Sequence, residues 1–160
     1  MKKHILSILV NNSSGVLSRV TGLFSKRGYN IDSLSVGTTE NNDTSRITAV
    51  IQCDDEGNNQ IKNQLKKLID VINVIELLPE KSVYREITLV KIKSDENKMM
   101  SIMNVVNIFR ASVIDLSEDS VIIEATGDPQ KITAFVEAVK HFGIIEVVRT
   151  GLTGLLRGTN

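Results

Sequence analysis

Among the 160 residues, the stretch that could hold a small molecule is Val10-Asn11-Asn12-Ser13-Ser14-Gly15-Val16-Leu17, where an apolar strand runs through a turn into a helix. A helix start offers unpaired backbone N–H groups and the positive end of the peptide dipole, which suits a carboxylate or a phosphate. Gly15 has no Cβ to keep a ligand from those amides. Asn12 can donate and accept, as the paired carboxylate and ammonium of an amino acid require. The corner holds no Lys or Arg before Arg19, which favours a singly charged carboxylate over a polyphosphate. The same Asn and Ser types also serve as plain helix caps. Asn30, after Gly28-Tyr29 and opening the second strand, reads more commonly as a turn residue tolerant of unusual φ.

Residues for catalysis are harder to find. His4 and His141 stand without a nucleophile in any recognisable motif, and Cys53 at a strand end reads as core or edge filler. Two His and one Cys are too few for most zinc sites. Asp54-Asp55-Glu56 lacks the interleaved ligands of a calcium loop and is read as a solvated turn. No Walker A sequence and no GxGxxG follows a strand. The 19 basic and 19 acidic side chains cancel, with nine against eight up to residue 79 and ten against eleven beyond it. That balance argues against nucleic acid or an anionic membrane as the main partner. No apolar run approaches the roughly 18 residues of a membrane span. Ile5 to Val10 is too short for a signal sequence, so a cytoplasmic protein is expected.

The elements that must position the corner repeat once. Ile5–Val10 is a strand, and Val16, Leu17, Val20, Leu23 and Phe24 form the apolar stripe of a helix. Gly28 is expected as its C-terminal cap, after Lys26 and Arg27. Ile31–Val36 and the alternating run Ile47–Cys53 should pair antiparallel across Asn41-Asn42-Asp43. Ile61, Leu65, Leu68 and Ile69 predict a second helix, and Val71–Leu78 a fourth strand. After a linker at Pro79–Ser82 the order recurs. Strands are expected at Ile87–Ile92, Val113–Leu116, Val121–Ala125 and Ile144–Val148. Helices are expected around Ile102–Phe109 and Ile132–Val139, the latter capped by Asp128 with Pro129 in its first turn. The fold class is therefore α+β, two ferredoxin-like βαββαβ domains at 1–79 and 80–160, the second ending in a Gly-rich mobile tail from Gly151. Apolar residues at both parities of strands two and three (Ile31, Leu34 and Val36; Ile47, Val50 and Ile51) predict a homodimer, with a sheet-covering contact by the second domain as the alternative.

The run from Ile5 to Val36 closely resembles the N-terminal ACT domain of the acetohydroxyacid synthase (acetolactate synthase) small subunit. The likeness continues through Ser45-Arg46, Gln64 to Val71, Arg85-Glu86, Leu89-Val90-Lys91, Ile108-Phe109-Arg110, Ile114-Asp115, Thr126-Gly127 and Arg149-Thr150-Gly151. It implies a regulatory subunit that is not itself an enzyme. Such a subunit binds and activates a catalytic large subunit and confers feedback inhibition by a branched-chain amino acid, usually valine. Thiamine diphosphate, Mg and FAD are implied on that catalytic partner, and no cofactor on this chain. By position, the resemblance gives the carboxylate and ammonium of the effector to Asn12, Gly15 and Val16. It completes the pocket with Asn30 and Ile31 of a facing chain and places Leu17 near an isopropyl group. The sequence departs from many ACT corners by having Ser14 where Pro precedes the Gly, Asn11 where an acid is frequent, and Gly37 in place of another small residue. A free-standing amino-acid-sensing ACT protein is the alternative, although it would have no need of residues 80–160. A small enzyme on the same scaffold is a third reading, since fold does not fix function.

Overall fold

A computed structural model of the chain describes residues 1–158. The chain divides into two units: residues 1–83 together with residues 151–158, and residues 84–150. Each is a βαββαβ arrangement, and each sheet is antiparallel.

The first unit runs β1 (Lys2–Asn11), α1 (Val16–Lys26), β2 (Ile31–Thr38), β3 (Thr44–Cys53), α2 (Asp55–Leu65) and β4 (Val71–Glu76), with sheet order β2-β3-β1-β4. Its core joins one parity of the central strands (Leu6, Ile8 and Val10; Ile47, Ala49 and Ile51) to Val16, Val20 and Phe24 of α1 and Ile61 and Leu65 of α2. Both helices therefore cover the same sheet face. Helix α1 ends as its Lys-Arg-Gly sequence predicts. Gly28 takes φ +73°, its N–H donates to Ser25 C=O at 3.1 Å, and the Tyr29 N–H donates to Phe24 C=O at 3.0 Å. This paired closure is open to glycine because no Cβ opposes the left-handed turn.

The second unit runs β5 (Ser82–Lys93), α3 (Glu96–Phe109), β6 (Ser112–Leu116), β7 (Ser120–Gly127), α4 (Pro129–Val139) and β8 (Ile144–Arg149), in the order β6-β7-β5-β8. Its core gathers Val90, Ile92, Ile102, Val106, Ile123, Ile132 and Phe135, with Phe109 and Phe135 edge to face at 5.6 Å. Asp128 caps α4 by accepting the Lys131 N–H at 2.9 Å, with Pro129 in the first turn. On Glu86, buried at 7 % exposure, Arg149 places a bidentate guanidinium with its Nη2 at 2.9 Å.

Three local expectations are corrected. The acidic run is not a loop: Asp54 caps α2 by accepting the Gly57 N–H at 2.8 Å, and Asp55 and Glu56 form the first turn, favourable against the helix dipole. That helix stops at Leu65, which leaves Ile69 exposed. The third correction concerns the C-terminal segment, expected as a mobile tail of the second half. It forms β9 (Thr153–Leu156), which pairs β5, whose opening Ser82 and Val83 belong to the first unit. The Leu152 N–H donates to Ser33 Oγ at 2.9 Å, and the Arg157 N–H to Lys81 C=O at 2.8 Å. Gly151 makes that course possible, because a Cβ there would run into the Leu34 carbonyl and lie 2.9 Å from Ser35 N. The expectation failed because glycines that permit close approach of two backbones look, in sequence, like glycines of a flexible tail. Residues 159 and 160 lie outside the described residues.

Candidate functional site

Strand β1 and helix α1 meet at the corner singled out above. The loop between them is held by backbone bonds: the Asn11 N–H donates to Asp70 C=O at 2.9 Å and the Asn12 N–H to Asp43 C=O at 2.7 Å. Gly15 precedes α1 with φ +83° and ψ −6°, a left-handed conformation that costs a residue with a Cβ roughly 1–2 kcal/mol. No side chain caps the helix. The Asp-capped starts of α2, α3 and α4 are different. The alternative reading of the Asn and Ser residues as caps therefore does not apply. The first intrahelical bond is Arg19 N–H to Gly15 C=O at 3.0 Å, so the Leu17 and Ser18 amides sit ahead of it with the dipole end. No acidic residue occupies the first turn.

Asn12 is placed at this corner, but part of its bonding capacity is spent. Its Nδ2 donates to Asn42 C=O at 2.8 Å, tying the corner to the β2–β3 turn. Its Oδ1 is the group left to accept an ammonium. Val16 is buried at 3 % exposure and anchors the helix in the core, so what it offers a ligand is backbone. Leu17 is 41 % exposed and presents an apolar side chain beside the free amides. Asn30 and Ile31 follow the other end of α1, an 11-residue helix that is about 16 Å long at 1.5 Å per residue. Asn30 is exposed, with Nδ2 donating to Asp32 Oδ1 at 3.1 Å, and Ile31 is half-buried against the core. One chain thus brings Asn12, Gly15, Val16 and Leu17 together and leaves Asn30 and Ile31 apart from them.

The sequence reading overlooked the role of Arg19. One helical turn beyond Gly15, its guanidinium folds back over the corner, where Nη1 would stand 3.0 Å from a Cβ on Gly15. Asp70 steadies it, accepting from Nε at 2.8 Å and Nη2 at 2.7 Å. The i to i+4 spacing of Gly15 and Arg19 was the available signal. The result is a cation beside uncapped amides, with Asp70 offsetting part of its charge.

A second polar cluster lies within the same unit. Glu76 Oε1 is 2.7 Å from His4 Nδ1, and Oε2 accepts from Asn58 Nδ2 at 2.8 Å and Lys62 Nζ at 2.9 Å. Burial pushes the Glu76 carboxyl up, but the hydrogen bonds from His4, Lys62 and Asn58 outweigh it and hold the group down at about 2. Cys53 is buried nearby and free, its thiol pushed up by burial. Among the described residues no group of three or more His, Cys, Asp or Glu is arranged to hold a metal. No helix among them is long and apolar enough to cross a membrane.

The fold and the corner define a class. The first unit is an ACT domain, a βαββαβ module with a glycine corner at its first helix, and residues 6–73 match the family model "AHAS small subunit-like ACT domain". Residues 85–158 match a second model, "Small subunit of acetolactate synthase". A probable acetolactate synthase small subunit of Archaeoglobus fulgidus is 47% identical over 156 residues, 98% of either chain. The acetolactate synthase small subunit of Bacillus subtilis is 44% identical over 98% of this chain and 92% of its own. The crystal structure of the acetolactate synthase small subunit from Thermotoga maritima superposes with a TM-score of 0.92 at 38% identity, covering 100% of both chains. The chain belongs to the family of acetolactate synthase small subunits.

Proposed function

We propose that this chain is the non-catalytic regulatory subunit of acetolactate synthase. It activates the catalytic large subunit, which carries thiamine diphosphate, Mg and FAD, and it makes that enzyme sensitive to a branched-chain amino acid, valine. In this reading two copies form a homodimer. The α1 corner of one chain (Asn12, Gly15, Val16 and Leu17) faces Asn30 and Ile31 of the other, and the amino acid lies between them. The supporting observation is the uncapped start of α1 behind Gly15 at φ +83°, in a chain of this family. The Leu17 and Ser18 amides and the Arg19 guanidinium take the carboxylate. Asn12 Oδ1 takes the ammonium, and the exposed Leu17 side chain meets the isopropyl group.

Regulation follows from linkage. A ligand bridging two chains favours the dimer arrangement that closes on it, and it shifts the catalytic partner only by its differential affinity for the two states, typically ~1–3 kcal/mol. The test is calorimetric titration of the chain with valine, leucine and isoleucine, followed by the acetolactate assay with the large subunit added. Asn12→Ala removes the ammonium acceptor, and Gly15→Asp puts a carboxylate where the effector's own would lie. Both variants should lose valine inhibition and keep activation of the large subunit. Wild-type inhibition retained in both would exclude the corner.

A further inference from the structure

The sheet face of the first unit turned away from α1 and α2 holds a cleft of about 320 Å³. Its floor is set by the β2–β3 register, which pairs Ser35 with Thr48 and Gly37 with Arg46. Thr153 and Gly154 of β9 line it as well, and Glu40 stands at its rim in the turn after β2.

Arg46 makes this cleft more than a groove. The side chain is half-buried, and its one hydrogen bond among the described residues is Nη1 donating to Ser7 Oγ at 2.8 Å, a neutral partner that is itself buried. Among the described residues no carboxylate pairs with it, whereas Arg19 and Arg149 each hold one. A guanidinium carries five donors in a planar fork that matches a carboxylate. Held at a partly desolvated position without an anion, it favours one strongly. Gly37 supplies the room: a Cβ there would meet nothing within 4 Å, so the strand opposite Arg46 leaves an opening. Around that opening the hydroxyls of Ser35, Thr48 and Thr153 can bond a polar substituent next to the carboxylate.

We propose that this cleft binds a small hydroxylated carboxylate, at a site separate from the α1 corner, with Arg46 as the group that holds the anion and Gly37 as the residue that admits it. The residues that line the cleft come from one chain, and the proposal does not rest on the effector reading above. The test is a ¹H–¹⁵N correlation titration of the full chain with sodium lactate and, as a neutral isostere, lactamide. Lactate should give saturable shifts at the Ser35, Gly37 and Gly154 amides, and lactamide should not. Arg46→Gln should weaken lactate by about tenfold or more, the loss expected for a charge-assisted pair. Gly37→Val fills the opening on an extended strand without a clash and should abolish the shifts while the rest of the spectrum stays in place. Gly15→Asp, which disables the corner, should leave the lactate titration unchanged. Absent saturation, equal response to lactamide, unchanged affinity in Arg46→Gln, or loss of the response in Gly15→Asp would each overturn the proposal.

Discussion

Glutamine at position 76 gives the sharpest test of how the first unit is held together. The Glu76 carboxyl has an ordinary value of 4.5 and is held at about 2 in the folded chain by His4, Lys62 and Asn58. At 1.36 kcal/mol per unit, that depression contributes about 3 kcal/mol to folding when the group is ionised in both states. The sign follows from the direction. Because the folded value lies below the unfolded one, the contribution is complete above pH 4.5 and is lost as pH falls through the folded value. By pH 3 about 2 kcal/mol of it should be gone. The assay is urea unfolding of the wild type and Glu76→Gln from pH 7 down to pH 3, followed by far-ultraviolet dichroism. Glutamine does not titrate, so the stability gap between the two proteins should narrow by about 2 kcal/mol between pH 6 and pH 3. A gap that holds constant, or that widens in acid, would refute the assignment of the cluster as a charge-linked clasp.

Other perturbations follow from single contacts. Gly151→Ala drives a Cβ into the Leu34 backbone and should cost about 1–3 kcal/mol, with faster hydrogen exchange at the Leu152 amide. Gly28→Ala, at φ +73°, should destabilise by about 1 kcal/mol in chemical unfolding. Arg149→Ala leaves the buried Glu86 carboxylate without its guanidinium and should cost about 2 kcal/mol, less than at a fully buried pair because Arg149 is partly exposed. Asp128→Ala removes the cap of α4 and should lower stability by about 1 kcal/mol.

The elements with strong periodicity were readable from the sequence. The stripe Val16, Val20 and Phe24 and the alternation Ile47, Ala49 and Ile51 became the core, because helix and strand periods leave little choice about which face is buried. The turn from strand to helix at Gly15 was readable as well, because a glycine between a strand and an apolar helix stripe marks where the chain changes direction. What stayed hidden depended on distant contacts. Asp54 looked like one more solvated acid until the helix it caps was in place. The closeness of Arg19 to Gly15 is fixed by Asp70, 51 residues away, and the cleft that brings Arg46 beside Ser35, Gly37 and Thr153 exists only when strands and C-terminal segment are assembled. Asn12 was recognised by type, but its commitment to the Asn42 carbonyl comes from a turn geometry that local sequence does not encode.

The path of the polypeptide also bears on how the protein can be taken apart. Since residues 151–158 belong to the first unit and Leu152 is bonded to Ser33, one nick near residue 83 does not release two free pieces. A fragment ending there would lack the stretch that packs on β2, and the complementary fragment would carry that stretch with nothing to sit on. Limited proteolysis should accordingly yield a nicked species that co-elutes as a single particle until denaturant is added. Mixing the two fragments, expressed apart, should restore the protection of Leu152 that neither shows alone.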